Sequence, residues 1–296
     1  MEGIISGIKR MEIHDGDGIR TTVFFKGCSM KCIWCHNPES IGYEPQIAWF
    51  RAKCIGCGNC AGVCPEGAIS MADGVPSIDR TKCVRCMACA DHCPVGAIEG
   101  FGRPMSLDEL EKLLLQDELF YRNSGGGVTF SGGECLMQPE FVTEMAKRLH
   151  EKGISVDVDT AGHVKKEILE GILPYVDTFL YDVKAIDPAV HKRCTGSDNR
   201  LILENLKFLS DAGAKIEIRY PLIKGYNDGE CGAIGAFLSG LSGVKGIKVL
   251  KYHRFAGSRY EALGMENTLP DTVTTDEDME KARQTLKACG VTVIED

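Results

Sequence analysis

The stretch "HDGDGIRTTVFFKGCSMKCIWCHNPES" (His14–Ser40) decides how the rest of the chain is read. Val23–Lys26 is a short run of β-branched and aromatic residues, predicted as a buried strand that stops at Gly27. Cys28, Cys32 and Cys35 follow at once with the spacing C-x3-C-x2-C. Three thiolates in eight residues suit three corners of an iron–sulfur cubane. The fourth iron then keeps a free coordination position for a small chelating molecule. A structural zinc site completed by His36 is the alternative reading of the same spacing.

Working outward, the 296 residues hold 15 cysteines, and 11 of them fall between Cys28 and Cys93. In a short secreted chain that density would mean disulfides. This chain is long and starts with no basic segment followed by an apolar run, so clustered cysteines read as metal ligands in a reducing cytoplasm. Oxygen-labile clusters further imply an anaerobic setting. The net charge of −8 argues against nucleic acid, which needs a basic face. No run approaches the roughly 18 apolar residues of a membrane helix.

Residues 51–100 differ from the rest, being short of helical periodicity and rich in Cys and Gly. "CIGCGNCAGVCPEGAI" and "CVRCMACADHCPVGAI" repeat one unit 29 residues apart. Each contains C-x2-C-x2-C-x3-C-P, the bacterial two-cluster ferredoxin spacing, in which the fourth cysteine serves the other cluster. This assigns Cys54, Cys57, Cys60 and Cys93 to one [4Fe–4S] cluster and Cys83, Cys86, Cys89 and Cys64 to a second. Fully thiolate-ligated clusters have no open iron, so electron relay is their natural role; holding a docking domain in shape is the other.

After Gly100 helices and strands alternate. Ser106 is predicted to cap a helix over Leu107–Gln116, with Glu109 closing a capping box. Strands follow at 127–130, 155–159, 178–183, 215–220 and 247–252. Helices are expected at 139–151, 164–173, 199–212 and 276–289, with one more between the last two strands. Gly290 is read as the final C-cap. Counting Val23–Lys26, about six βα units form a parallel sheet, which suits an open, partial barrel.

C-x3-C-x2-C with Trp34 before its last cysteine resembles the radical S-adenosylmethionine (SAM) superfamily. The full opening string is similar to the glycyl radical enzyme activating enzymes, the group of the pyruvate formate-lyase activase. Their pattern reads D-G-P-G-I-R, so Asp17 departs from it, in the loop expected over the site. "FSGGEC" resembles the family's glycine-rich turn, with Cys135 in place of the usual proline. The likeness implies an α/β fold, a partial (β/α)6 radical SAM barrel with an inserted ferredoxin-like domain carrying two [4Fe–4S] clusters. Domain limits would be 1–50, 51–100 and 101–296. It also implies that Gly132, Gly133 and Glu134 hold the SAM amino group. Asp159, Thr160 and Asp182 would line the SAM carboxylate with a bound monovalent cation, Lys184 would approach SAM, and Arg219 and His253 would contact its ribose or carboxylate side.

The implied cofactors are three [4Fe–4S] clusters and SAM. The implied reaction is reductive cleavage of SAM to methionine and a 5′-deoxyadenosyl radical that takes a Cα hydrogen from a glycine of a partner glycyl radical enzyme. An external donor such as flavodoxin or ferredoxin would supply the electron. Two other readings stay open on sequence: a radical SAM enzyme acting on a small molecule, and a polyferredoxin-like electron carrier. Cys135, Cys194, Cys231 and Cys289 lack cluster spacing and read as buried packing residues.

Overall fold

The computed structural model describes residues 1–295. The chain starts with an antiparallel pair, β1 (Glu2–Glu12) and β2 (Arg20–Phe25). The insert contributes β3 (Gln46–Trp49), the hairpin of β4 (Ile69–Ala72) and β5 (Val75–Ile78), and β6 (Ile98–Phe101). Then come β7 (Arg103–Ser106), β8 (Gly127–Gly132), β9 (Ser155–Thr160), β10 (Thr178–Asp182), β11 (Ile216–Leu222), β12 (Val244–Lys251) and β13 (Val293–Ile294).

One sheet takes nine of these strands in the order β13-β12-β11-β10-β9-β8-β2-β1-β7. From β2 to β12 all neighbours are parallel, which is the predicted run of six strands. β13 adds a short parallel edge, and β1 and β7 an antiparallel one. β13 and β7 are the two ends of the sheet, so the barrel is open. The inner strands are buried along nearly their whole length, as parallel strands covered by helices are. Val128, Phe130, Val156, Val158, Ile216 and Ile218 share one core with Leu149, Leu206, Leu209 and Leu286 from the covering helices. Each such side chain removed from water contributes roughly 1.5–3 kcal/mol.

The helices differ from expectation mainly at their ends. Ser106 forms the predicted capping box with Glu109, but the α-helix is Leu107–Leu114 and a 3-10 turn continues to Asp117. Pro139–Glu151 is as expected; the others run Lys166–Ile172, Arg200–Asp211, Cys231–Leu238 and Asp276–Ala288. Cys289 is the final C-cap, and Gly290 follows it with φ 81°. The helices Glu118–Ser124, Pro188–Thr195 and Gly257–Leu263 were not expected.

The loop His14–Ile19 is fixed at the N-terminal end of the parallel strands by Arg20, which is fully buried. Its guanidinium donates to Thr129 Oγ1 (2.7 Å) and the Val128 carbonyl (2.7 Å) and pairs with Asp157 (3.3 Å). Gly16 and Gly18 both have positive φ, and a Cβ on Gly18 would lie 2.5 Å from the Gly126 nitrogen. The D-G-x-G-I-R string is therefore a plug in the barrel floor. Asp17, the departure from the family pattern, points into solvent (83% exposed) and pairs with Lys245 (3.3 Å).

The insert is entered and left through β3 and β6, paired antiparallel from Gln46↔Phe101 to Trp49↔Ile98. Its repeat is visible in the backbone. Asn59–Gly62 and Ala88–Asp91 are matching single helical turns, each preceded by a left-handed residue, Gly58 and Met87. A small apolar cluster of Ile47, Ile69, Met87 and Ile98 has the cysteines woven into it.

Candidate functional site

The end of β2 and the turn after β8 are stitched together. Gly133 N donates to the Phe25 carbonyl (3.0 Å) and Glu134 N to the Gly27 carbonyl (2.8 Å), one residue before Cys28. A Cβ on Gly132 would come 2.2 Å from Phe25 N, and one on Gly133 2.5 Å from the Gly27 and Ser40 carbonyl oxygens. Only glycine fits at these two places. The C-terminal ends of the other parallel strands add Asp159, Thr160, Asp182 and, beyond β10, Lys184. Parallel α/β sheets gather their sites at that end.

These elements surround a cavity of about 610 Å³. Cys28, Cys32, Cys35, Trp34, Gly132, Gly133, Asp159, Thr160, Asp182, Lys184, Arg219 and His253 all line it. Glu134 differs from the expectation. Its carboxylate is buried behind the turn, accepting from Thr160 Oγ1 (2.8 Å), Ala161 N (3.0 Å) and Leu136 N (3.3 Å), so it braces the glycines against β9. Burial pushes its pKa up to about 7, against those three donors, which pull it down.

A chain of charge crosses the cavity floor. Arg219 pairs with Asp15 (3.1 Å) and Asp159 (3.7 Å), and Ser131 Oγ donates to Asp159 (2.6 Å). Burial raises Asp159 to about 6, although Arg219 opposes it; Asp182 and Asp15 push it further up. Lys184 Nζ contacts Asp182 at 2.5 Å. Burial disfavours its charge, but Asp182 and Cys32 outweigh that and hold its pKa above the usual lysine value. Asp15 and Ser131 were not singled out in the sequence. The available signals were their places beside Gly16 and before Gly132.

At the rim, His36 stacks on His253 with centroids 4.3 Å apart, and Phe255 stacks on His253 at 4.5 Å. His36 Nε2 lies 3.0 Å from the His253 carbonyl, so its ring is already engaged. Trp34 packs with Cys194, Ile223 and Tyr252. Cys135 is buried, with Sγ 3.5 Å from the Phe130 carbonyl, and Cys231 is buried beside Tyr220. Cys289 lies against Gly232, at 3.8 Å from its carbonyl.

The donor chemistry suits metal-bound thiolate. Burial pushes Cys32 up to about 12, against the nearby Lys184, and raises Cys28 and Cys35 as well; a bound metal would favour their thiolates. Among the described residues no three His, Cys, Asp or Glu side chains converge on a single ion. In the insert the thiols border two small cavities. One gathers Cys54, Cys57, Cys60 and Cys93, the other Cys64, Cys83, Cys86 and Cys89. Cys64 Sγ accepts from Ala68 N and Cys93 Sγ from Ala97 N, both at 3.2 Å, so the repeat extends to the sulfur environment. For Cys93 burial works upward, but amides of the following turn hold its pKa below the usual thiol value.

Comparison with known proteins agrees with this architecture. Residues 82–238 match the profile of the Radical SAM superfamily, and residues 53–97 match that of the 4Fe-4S dicluster domain. Fold and site thus define a radical SAM enzyme with a dicluster insert. The trans-4-hydroxy-L-proline dehydratase activating enzyme of Clostridioides difficile is 46% identical over 77% of this chain and 76% of its own. The (2S)-3-sulfopropanediol sulfolyase activating enzyme of Bilophila wadsworthia is 37% identical over 97% of both. The benzylsuccinate synthase activating enzyme of Thauera aromatica is 43% identical over 76% of this chain and 70% of its own. The chain belongs to the glycyl radical enzyme activating enzymes of the radical SAM superfamily. The electron-carrier and small-molecule readings are set aside by these relatives. QueE from Escherichia coli, 12% identical with a TM-score of 0.51 over 99% of this chain and 93% of its own, shares the fold alone. Among the described residues no helix is long and apolar enough to cross a membrane.

Proposed function

We propose that this chain activates one glycyl radical enzyme by generating the radical on a glycine of that partner. The observation that carries the reading is the single cavity bringing Cys28, Cys32 and Cys35 together with the Gly132–Gly133 turn and the Asp159, Asp182, Lys184 and Arg219 charges. Cys28, Cys32 and Cys35 would hold a [4Fe–4S] cluster. When reduced, that cluster supplies the electron that cleaves SAM to methionine and a 5′-deoxyadenosyl radical, which removes the partner glycine's Cα hydrogen.

The chain's own residues bind and orient. Backbone of the Gly132–Gly133 turn approaches the SAM ammonium, and Glu134 stiffens that turn from behind. Thr160 and Lys184 face the SAM carboxylate, and the Asp159–Asp182 pair offers oxygens to a monovalent cation. Arg219 neutralises Asp15 and Asp159 beneath them. Trp34 closes one wall, and His253 stacks at the rim where the ribose would lie. The open sheet leaves a side through which a polypeptide reaches the cavity.

The insert residues would hold two further clusters, at the two thiol-lined cavities, and relay electrons from a flavodoxin or ferredoxin. Domain limits of 1–50, 51–100 and 101–296 belong to this reading, with stem strands β3 and β6 at the seams. Its setting would be an anaerobic cytoplasm.

Anaerobic reconstitution should give about twelve iron and about twelve sulfide per chain. With dithionite and SAM the product to assay is 5′-deoxyadenosine, beside the Cys32→Ala variant. Product from the wild type and none from the variant is the expected result. A fully loaded wild type that cleaves no SAM would sink the proposal.

A further inference from the structure

The two thiol-lined cavities of the insert are not equivalent with respect to the barrel. Arg85, between Cys83 and Cys86, pairs with Glu44 at 2.9 Å. Glu44 follows Tyr43, whose ring covers Gly27 so closely that a Cβ there would lie 2.4 Å away. Two residues earlier, the Ile41 carbonyl accepts from Cys28 N at 3.0 Å. The segment Ile41–Glu44 thus spans directly from Cys28 to the flank of Cys86.

A second tie reaches the other end of the same loop. Arg80, three residues before Cys83, divides its guanidinium between the Ile47 carbonyl (2.8 Å) and the Ala262 carbonyl (3.0 Å). Ala262 lies on the helix Gly257–Leu263, whose Tyr260 hydroxyl donates to the Cys35 carbonyl at 3.1 Å. Both ties start within or just ahead of the Cys83–Cys86 segment. The Cys54 cavity is instead walled by the β4–β5 hairpin at Met71 and Pro76 and by Val95–Ile98. Its outer lip is apolar and open, with Ile55 65% exposed, Val95 41% exposed and Cys57 exposed. Arg51 stands exposed just before Cys54, and Lys53 beside it is exposed and paired with Glu99 at 2.6 Å.

Resting on the reading above that clusters fill all three thiol sets, we infer that the insert is an ordered relay. A small acidic one-electron carrier protein docks over Ile55 and Val95 at the Cys54–Cys57–Cys60–Cys93 side. The electron leaves on the Cys64–Cys83–Cys86–Cys89 side toward Cys28 and Cys35. The reduced carrier loses one electron and the cluster at Cys28, Cys32 and Cys35 gains it. No bond forms or breaks in the relay, and no proton moves.

Val84 occupies the place of Ile55 in the second repeat and is 59% exposed, so it supplies the matched control. Full-length reconstituted protein would be mixed anaerobically with a reduced bacterial ferredoxin. Bleaching of the visible absorbance is followed by stopped flow, and the separate clusters by rapid-freeze EPR. Iron content near the wild-type value verifies that each variant is loaded. For each, the ferredoxin-driven rate is divided by the dithionite-driven rate of SAM cleavage on the same sample. Ile55→Asp should lower that ratio about tenfold and Val84→Asp by less than about twofold, as expected for a charge placed inside and outside a contact. Glu44→Gln should delay the EPR signal of the SAM-binding cluster after the insert clusters are already reduced. A larger effect of Val84→Asp, or equal ratios in wild type and both variants, overturns the ordered relay. Absence of dithionite-driven cleavage in the wild type would instead count against the activase reading itself.

Discussion

The Tyr260 hydroxyl donates a hydrogen bond of 3.1 Å to the carbonyl oxygen of Cys35. The tyrosine is buried and packs with Ala256 and Leu269. Its neighbour Arg259 pairs with Glu39 at 2.7 Å, so the helix Gly257–Leu263 grips the cysteine loop on both sides of Asn37. Tyr260→Phe keeps the packing and removes only the bond, worth about 1 kcal/mol. We expect full iron loading, and release of the cluster at Cys28, Cys32 and Cys35 to a chelator several times faster, read from EPR after timed exposure. Unchanged release would show that this bond does not secure the loop.

Gly18 and Asp17 are adjacent but should respond in opposite ways. Gly18→Ala forces a Cβ against the Gly126 backbone at φ 70°. A cost of about 2 kcal/mol or more is expected in denaturant unfolding of the reduced apoprotein. Asp17→Ala, at an exposed ion pair, should stay within about 0.5 kcal/mol. Similar losses for both would mean that the loop is not the plug described.

Arg219 separates two carboxylates at the cavity floor. Arg219→Met leaves Asp15 and Asp159 facing each other without a cation, a loss expected to cost about 3–5 kcal/mol. Asp15→Asn in the same chain should return part of it, since one of the two charges is then gone. If the double variant is no more stable than Arg219→Met, the coupling between these groups is absent.

Glu134 gives a pH dependence whose sign is fixed by its raised pKa. Its folded-state pKa of about 7 lies above the roughly 4.3 of an unfolded glutamate. Its neutral form is therefore the one folding favours. That contribution is complete below the unfolded value and fades as pH rises through 7. Binding of cationic SAM favours the ionised form, so affinity of the oxidised enzyme should increase from below pH 7 to above it. Glu134→Gln should flatten the profile, measured by equilibrium dialysis with labelled SAM. An equally steep profile in that variant would remove Glu134 from the explanation.

Much of the barrel was legible because each inner strand carries apolar residues, mostly β-branched or aromatic, continuous in Val23–Phe25 and Phe179–Tyr181 and alternating with polar ones in Val156–Val158, Ile216–Ile218 and Ile247–Val249. The edges gave weaker signals. β1 mixes Gly3 and Gly7 with exposed charge, and β7 holds only four residues with Pro104 among them, which an edge strand tolerates. The helix Pro188–Thr195 starts at Asp187-Pro188, a good N-terminal signal, but is too short for its periodicity to stand out.

In the site, the spacing of the cysteines marked which of them would gather, three close together in sequence and in the insert a fourth from the other repeat, and the structure brings those sets to three cavities. Asp15 was not legible, because its place depends on the loop His14–Ile19 folding beneath β11, some 200 residues away in sequence. Glu134 was read as holding the ligand, whereas Leu136 N and, from 26 and 27 residues away, Thr160 Oγ1 and Ala161 N engage it behind the turn. No local pattern announces which side of a turn a carboxylate will take.

The paired stem of β3 and β6 has a consequence for how such proteins arise. Gln46 and Phe101 face each other across one antiparallel rung, so the chain leaves and rejoins the barrel at nearly the same point. A gene segment whose two ends meet in this way can be gained, lost or exchanged between ancestors while every crossover of the host keeps its length. The Arg80 clasp, the Arg85–Glu44 and Arg103–Asp91 pairs and the small apolar seam of Ala48, Ala262 and Leu263 would need to evolve afterwards. Insert and barrel could then be inherited separately, as a detachable cassette and its chassis.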